Sequence, residues 1–162
     1  GMYFFEDHFD EETIRENFLY YEPRTVHESS LSPCVHAVLA AKLGLEQKAY
    51  EMYLRTARLD LDDYNHEADE GLHITSMAGT WMAVVEGFGG KRVKNGKLSL
   101  DPIIPENWKA YQFNLVYRDT ILSITVKSDI VKVQNVSGGS LDILIFGEKV
   151  SVPEHETISI ER

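Results

Sequence analysis

Two short segments of this chain place hydroxyls and a histidine directly before an apolar run. His27-Glu28-Ser29-Ser30-Leu31-Ser32 precedes "PCVHAVLAAKLG", and His73-Ile74-Thr75-Ser76 precedes "MAGTWMAVVEG". If each run is a helix, its first turn offers unsatisfied backbone N–H groups and the positive end of the helix dipole. With several O–H donors and an imidazole added, the combination suits an anion with several oxygens, phosphate above all. Capping is the alternative, since one Ser or Thr at a helix start satisfies an amide with no ligand present. Capping leaves the surplus hydroxyls of two similar segments unexplained.

Other candidate chemistry is poorer. His66, Asp69, Glu70 and His73 in "HEADEGLH" are types that bind metals, but Gly71 interrupts the helix that a zinc-protease pattern needs. "DLDDYNHEADEG" is too irregular for a calcium loop of the EF-hand type and reads as a solvated acidic loop. No metal is assigned, and no cofactor is called for. Glu28, Asp62, Asp63, Asp69 and Glu70 are possible acids for glycoside cleavage, but their spacing selects no pair. Glu28, between His27 and Ser29, suits either orientation of a sugar hydroxyl or an ion pair with Arg24. Cys34 lies in an apolar helix and reads as a buried structural thiol.

The elements that must hold these residues change character along the chain. Residues 1–90 carry 6 basic and 17 acidic side chains, while residues 91–162 carry 10 and 9. The first stretch has helical periods. Asp10–Tyr21 puts Ile14, Phe18 and Tyr21 on one face, and Ser32–Gly44 is apolar nearly all round, with Ser32 as a possible N-cap, Pro33 first in the helix and Gly44 as its stop. In Leu45–Asp60 the stripe is Ala49, Met52, Tyr53 and Ala57, with Glu46, Lys48, Glu51, Arg55 and Arg58 facing away. Ser76–Gly87 is again almost uncharged. That inner, outer, inner order suits two layers of antiparallel helices. Beyond Gly90 the period becomes two: Asn95-Gly96 marks a hairpin, followed by short alternating strands at 110–118, 121–127, 130–136, 141–147 and 157–162. The reading is an α+β chain, with a helical domain at 1–90 and a small antiparallel β-sandwich, jelly-roll-like, at 91–162.

A net charge of -10 argues against a nucleic-acid partner. No apolar run reaches the roughly 20 residues of a membrane span. The acidic start lacks signal-peptide order, and Gly1 before Met2 reads as a tag scar. With one cysteine, a cytoplasmic location is expected.

Three long segments, "YYEPRTVHESSLSPCVHA", "YLRTARLDLDDYN" and "GLHITSMAGTWMAVVEGFGGKRVKNGKLSLDPIIPENW", resemble the C-terminal part of the glycoside hydrolase family of inverting disaccharide phosphorylases. Its members act on maltose, trehalose and kojibiose, and the wording is most similar to the maltose-cleaving members. The resemblance runs from about Tyr3 onward. It implies that residues 1–90 are the last helices of an (α/α)6 barrel and the remainder its C-terminal sandwich. It also implies inorganic phosphate and an α-glucosyl disaccharide as partners, with β-glucose 1-phosphate and a free sugar as products. By the same resemblance Ser29, Ser30, His73, Thr75 and Ser76 bind phosphate, and His27 and Glu28 belong to the substrate site. The family's catalytic acid lies upstream of anything matched here, so no catalytic residue is assigned. A C-terminal fragment inactive alone is therefore expected, as a homo-oligomer or associated with the remaining barrel. The other reading is a free-standing binding or assembly module.

Overall fold

A computed structural model describes residues 1–64 and 66–162, Ala68 by its backbone alone. Asn65, inside the acidic loop, lies outside the described residues. The chain divides into two compact units, Gly1–Gly87 and Phe88–Arg162.

The first unit is helical. Helix α1 spans Glu11–Tyr21 and starts where the Asp10 carboxylate accepts the Thr13 amide at 2.7 Å. Ile14 and Phe18 are buried as expected, whereas Tyr21, in the last turn, is exposed. Helix α2 spans Ser32–Lys42. Its N-cap is Leu31, not Ser32, so the helix begins one residue earlier than expected and Ser32 and Pro33 fill its first two positions. Pro33, Cys34 and Ala37 to Ala41 are buried, which explains the lack of a polar face. Gly44, with φ +69°, ends it in the left-handed conformation that suits glycine.

Helix α3 spans Glu46–Ala57, and the four-residue α4 follows at Leu59–Asp62. The buried stripe of α3 is Ala49, Met52 and Thr56 rather than one ending at Ala57. Thr56 tolerates burial because its hydroxyl donates to the Met52 carbonyl at 2.9 Å. Two side chains expected to face away do not. Lys48 reaches Glu22 at 3.1 Å, and Arg55 reaches the backbone ahead of α2. Helix α5 spans Ile74–Met82, two residues earlier than expected, and continues as a π-helix over Ala83–Phe88.

The second unit holds strands β1 (Arg92–Lys94), β2 (Lys97–Leu100), β3 (Ala110–Tyr117), β4 (Thr120–Lys127), β5 (Ile130–Ser137), β6 (Leu141–Ile145), β7 (Glu148–Val152) and β8 (Thr157–Glu161). They form two four-stranded sheets of a β-sandwich, ordered β1-β2-β6-β7 and β3-β4-β5-β8. The β1–β2 hairpin turns at Asn95 (φ +50°) and Gly96 (φ +67°), the pair of positive angles that Asn-Gly favours. All pairings are antiparallel except β2–β6, which is parallel. That exception is possible because β3, β4 and β5 lie between β2 and β6 in sequence and build the other sheet, supplying the long crossover that parallel neighbours need. The inward residues include Leu98, Leu100, Ile143, Ile145 and Val152 from one sheet and Leu122, Ile124, Val126, Val131 and Val133 from the other. Strand β7 is not evident in the sequence, since "EKVSV" buries only its last residue fully.

Candidate functional site

The relative direction of α2 and α5 follows from two glycines. A β-carbon built at Gly79 would lie 2.9 Å from both Cβ and Sγ of Cys34, and one at Gly87 would lie 3.5 Å from the Cα of Val38 and 3.8 Å from the Cβ of Ala41. The contact therefore advances along both helices together. They run parallel, and both N-termini open at the same end of the helical unit.

The C-terminal turn of α3 lies at that end and touches both hydroxyl-rich segments through consecutive residues. Arg55 Nη2 donates to the His27 carbonyl at 3.2 Å. The neighbouring Thr56 carbonyl accepts the Ser76 hydroxyl at 3.0 Å. Residues 27–30 and 73–76 are thus tied to adjacent points on one helix.

Within this frame the candidate residues divide. Ser29 is exposed; its hydroxyl accepts the Leu31 amide at 3.3 Å and its carbonyl accepts the Ser32 amide at 3.0 Å, closing a turn. Ser30 is half-buried, and Glu28 and Thr75 are exposed at the same end. Arg24, considered as a partner for Glu28, instead donates to the Tyr20 carbonyl at 2.6 Å and lies over the Tyr20 ring. Ser76 is only 2% exposed; its hydroxyl braces α5 against α3 and its amide donates to the His73 carbonyl at 2.9 Å, so it belongs to the interior. His27 likewise belongs to the interior. It is 6% exposed, its Nδ1 lies 2.9 Å from the Ser32 hydroxyl, and its ring meets that of His36 edge to face. Burial, reinforced by His36 and Arg55, pushes the His27 pKa below the ordinary imidazole value.

His73 is the member held by carboxylates. Its Nδ1 and its backbone amide both reach the Asp60 carboxylate, at 2.6 and 2.9 Å, and its Nε2 lies 3.5 Å from Glu67. The hydrogen bond to Asp60 raises the His73 pKa, with further support from Glu67 and Glu70, and the same bond holds Asp60 below the usual carboxylate range. Asp60 therefore anchors both the backbone and the imidazole ring at the start of α5. Cys34 matches its expected role: it is buried, and burial raises its thiol pKa. Among the described residues no group of three metal-binding side chains converges, and no helix is long and apolar enough to cross a membrane.

Arg55, Thr56 and Asp60 escape sequence reasoning because their partners lie 28, 20 and 13 residues away. Nothing in the 3.6-residue period marks such a bond. The resemblance segment "YLRTARLDLDDYN" contains all three and is the one available signal.

An end with two parallel helix N-termini and exposed hydroxyls has features that suit an oxyanion. The wider comparisons agree on one family. Residues 1–82 match the glycosyl hydrolase family 65 central catalytic domain and residues 92–152 match the glycosyl hydrolase family 65 C-terminal domain. The chain is 53% identical over 150 residues to maltose phosphorylase of Bacillus subtilis (strain 168), covering 93% of this chain and 20% of that protein. It is 44% identical over 155 residues to α,α-trehalose phosphorylase of Geobacillus stearothermophilus, covering 96% and 20%. A solved structure described as "Putative kojibiose phosphorylase from human microbiome" superimposes with a TM-score of 0.92 at 40% identity, covering 99% of this chain and 24% of that one. The chain belongs to glycosyl hydrolase family 65. It spans about a fifth of the length of the curated relatives it matches.

Proposed function

We propose that this chain supplies the phosphate-binding end of an inverting disaccharide phosphorylase that cleaves an α-glucosyl disaccharide, with maltose the first candidate, to β-glucose 1-phosphate and free sugar. The observation that carries the reading is the attachment of both hydroxyl-rich segments to Arg55 and Thr56, ahead of parallel helices. Phosphate is the nucleophile in this scheme. Its oxygens are met by the hydroxyls of Ser29, Ser30 and Thr75 at the positive ends of both helices, with His73 and Ser76 in the segment that carries Thr75. Glu28 lies exposed in the same segment as Ser29 and Ser30. A carboxylic acid from the remainder of a full-length enzyme protonates the leaving oxygen while phosphate attacks the anomeric carbon from the opposite face, which inverts its configuration.

On this reading residues 1–90 are the closing helices of an (α/α)6 barrel, and residues 91–162 form a C-terminal sandwich. The enzyme works in the cytoplasm, where inorganic phosphate and glucose phosphates are handled. The isolated chain is inactive and associates either with the rest of the barrel or with a second copy of itself.

A chimera tests the proposal. The last fifth of the Bacillus subtilis maltose phosphorylase is replaced by this chain, and glucose 1-phosphate is assayed with maltose and inorganic phosphate. In an active chimera, Ser30→Ala and Thr75→Ala each raise the KM for phosphate by roughly tenfold or more, about the worth of one hydrogen bond to a charged group, and leave the KM for maltose near its starting value. An active chimera whose phosphate KM ignores both substitutions contradicts the assignment.

A further inference from the structure

His27 holds φ +58°, a left-handed backbone that a residue with a β-carbon adopts only when its surroundings impose it. Three contacts impose it here. Arg55 grips its carbonyl, the Ser32 hydroxyl meets its Nδ1, and the His36 ring closes one side. Glu22 Oε1 lies 4.0 Å from His27 Nε2, which favours the tautomer with the proton on Nε2 and makes Ser32 the donor to Nδ1. His27 Nε2 and Arg55 Nε are buried with no hydrogen-bond partner among the described residues, so both side chains sit here at a desolvation cost. A loop that only connected α1 to α2 would need neither.

The structure assigns Arg55 and His27 a positioning role: Arg55, through the His27 carbonyl, holds the left-handed turn that sets Ser29 and Ser30 at the open end of α2. This rests on the phosphate reading above and gives it a mechanical basis. The turn reverses the chain so that the next two residues face outward while the imidazole packs inward. His27 thereby leaves the ligand set and becomes part of the support. Arg55 links that support to α3, whose next residue, Thr56, braces Ser76. A shift at Arg55 displaces the Ser29–Ser30 turn relative to α5, and an anion contacting both segments senses the change. The cation also lies behind the cradle rather than in it, so its charge adds attraction without occupying the site.

The test uses the 15N-labelled 162-residue chain with two readouts, the heteronuclear NOE of residues 27–30 and the dissociation constant for inorganic phosphate. Arg55→Met is expected to lower the NOE at Glu28, Ser29 and Ser30 and to weaken phosphate binding by roughly fivefold, one hydrogen bond's worth. Arg55→Lys, which keeps a donor and the charge, is expected to restore the NOE values and to bring the phosphate constant within about twofold of the starting protein. Arg55→Met with an undiminished NOE, or Arg55→Lys as disordered as Arg55→Met, overturns the positioning role. Ser30→Ala in the same phosphate titration separates the two failures. An unchanged constant there overturns the phosphate reading, while the NOE still decides whether Arg55 holds the turn.

Discussion

Asp60 and His73 form the most informative pair at the residue scale, because one carboxylate holds both the backbone and the ring at the start of α5. The folded His73 pKa is raised. Its stabilising contribution is therefore complete below the unfolded value and is lost as pH rises through the folded one. Asp60 is lowered, so its contribution is present above the ordinary carboxylate pKa and is lost as pH falls through the depressed value. Between those limits the pair is intact. An NMR titration of the imidazole should place His73 above an ordinary histidine, and Asp60→Asn should return it toward that value. The stability difference between the two proteins should shrink as pH rises through the folded His73 pKa. A His73 that titrates identically in both proteins contradicts the pairing.

Close approach governs the elements. Gly79 lets α5 contact α2 at Cys34, where an added β-carbon would meet two side-chain atoms at 2.9 Å and Thr56 Cγ2 at 3.4 Å. Gly79→Ala is accordingly expected to destabilise the helical unit by about 1–3 kcal/mol, the usual cost of overpacking, measured by thermal or denaturant unfolding. In the second unit the Tyr111 hydroxyl lies 2.7 Å from both the Phe88 and the Ile103 carbonyls and donates between them. Tyr111→Phe leaves both acceptors without that donor and is expected to cost about 1–2 kcal/mol.

The sequence makes much of this scale legible and leaves the rest dark for identifiable reasons. The apolar wrap of α2, the Asn95-Gly96 hairpin and the alternation of β3, β4 and β6 are local patterns, and each appears in the fold. Strand β7 is hidden because a short edge strand has one covered face and few apolar residues. The enclosure expected over Ser76–Gly87 is partial: in α5 only Ser76 and Gly79 are buried, while Ile74 is 72% and Trp81 52% exposed, and Ala83 and Val85 beyond it are buried. Its apolar character is the same on the buried and the exposed side, so periodicity does not tell the two apart. At the site, hydroxyl clustering points to the two segments. The bonds from α3 that bring them together have no periodic signature.

For the whole molecule, the exposed side chains Leu72, Ile74, Met77 and Trp81 mark a face that soluble monomers seldom leave open. At about 25 cal/mol per Å², covering a few hundred Å² of it is a strong drive to associate. Light scattering at micromolar concentration should show a dimer or larger species, and Trp81→Lys should shift it toward monomer. A cooperatively unfolding protein that stays monomeric before any substitution contradicts this. The purified chain should release no glucose 1-phosphate from maltose, trehalose or kojibiose above a mock preparation, because no catalytic acid is assigned within it. The central claim, that residues 27–30 and 73–76 form one phosphate site, is tested most directly by titrating the 15N-labelled chain with inorganic phosphate against chloride at matched ionic strength. The account predicts that the amides of Ser29, Ser30, Thr75 and Ser76 shift together along one binding curve with a shared dissociation constant. Shifts confined to one segment, or two curves with different constants, would contradict it.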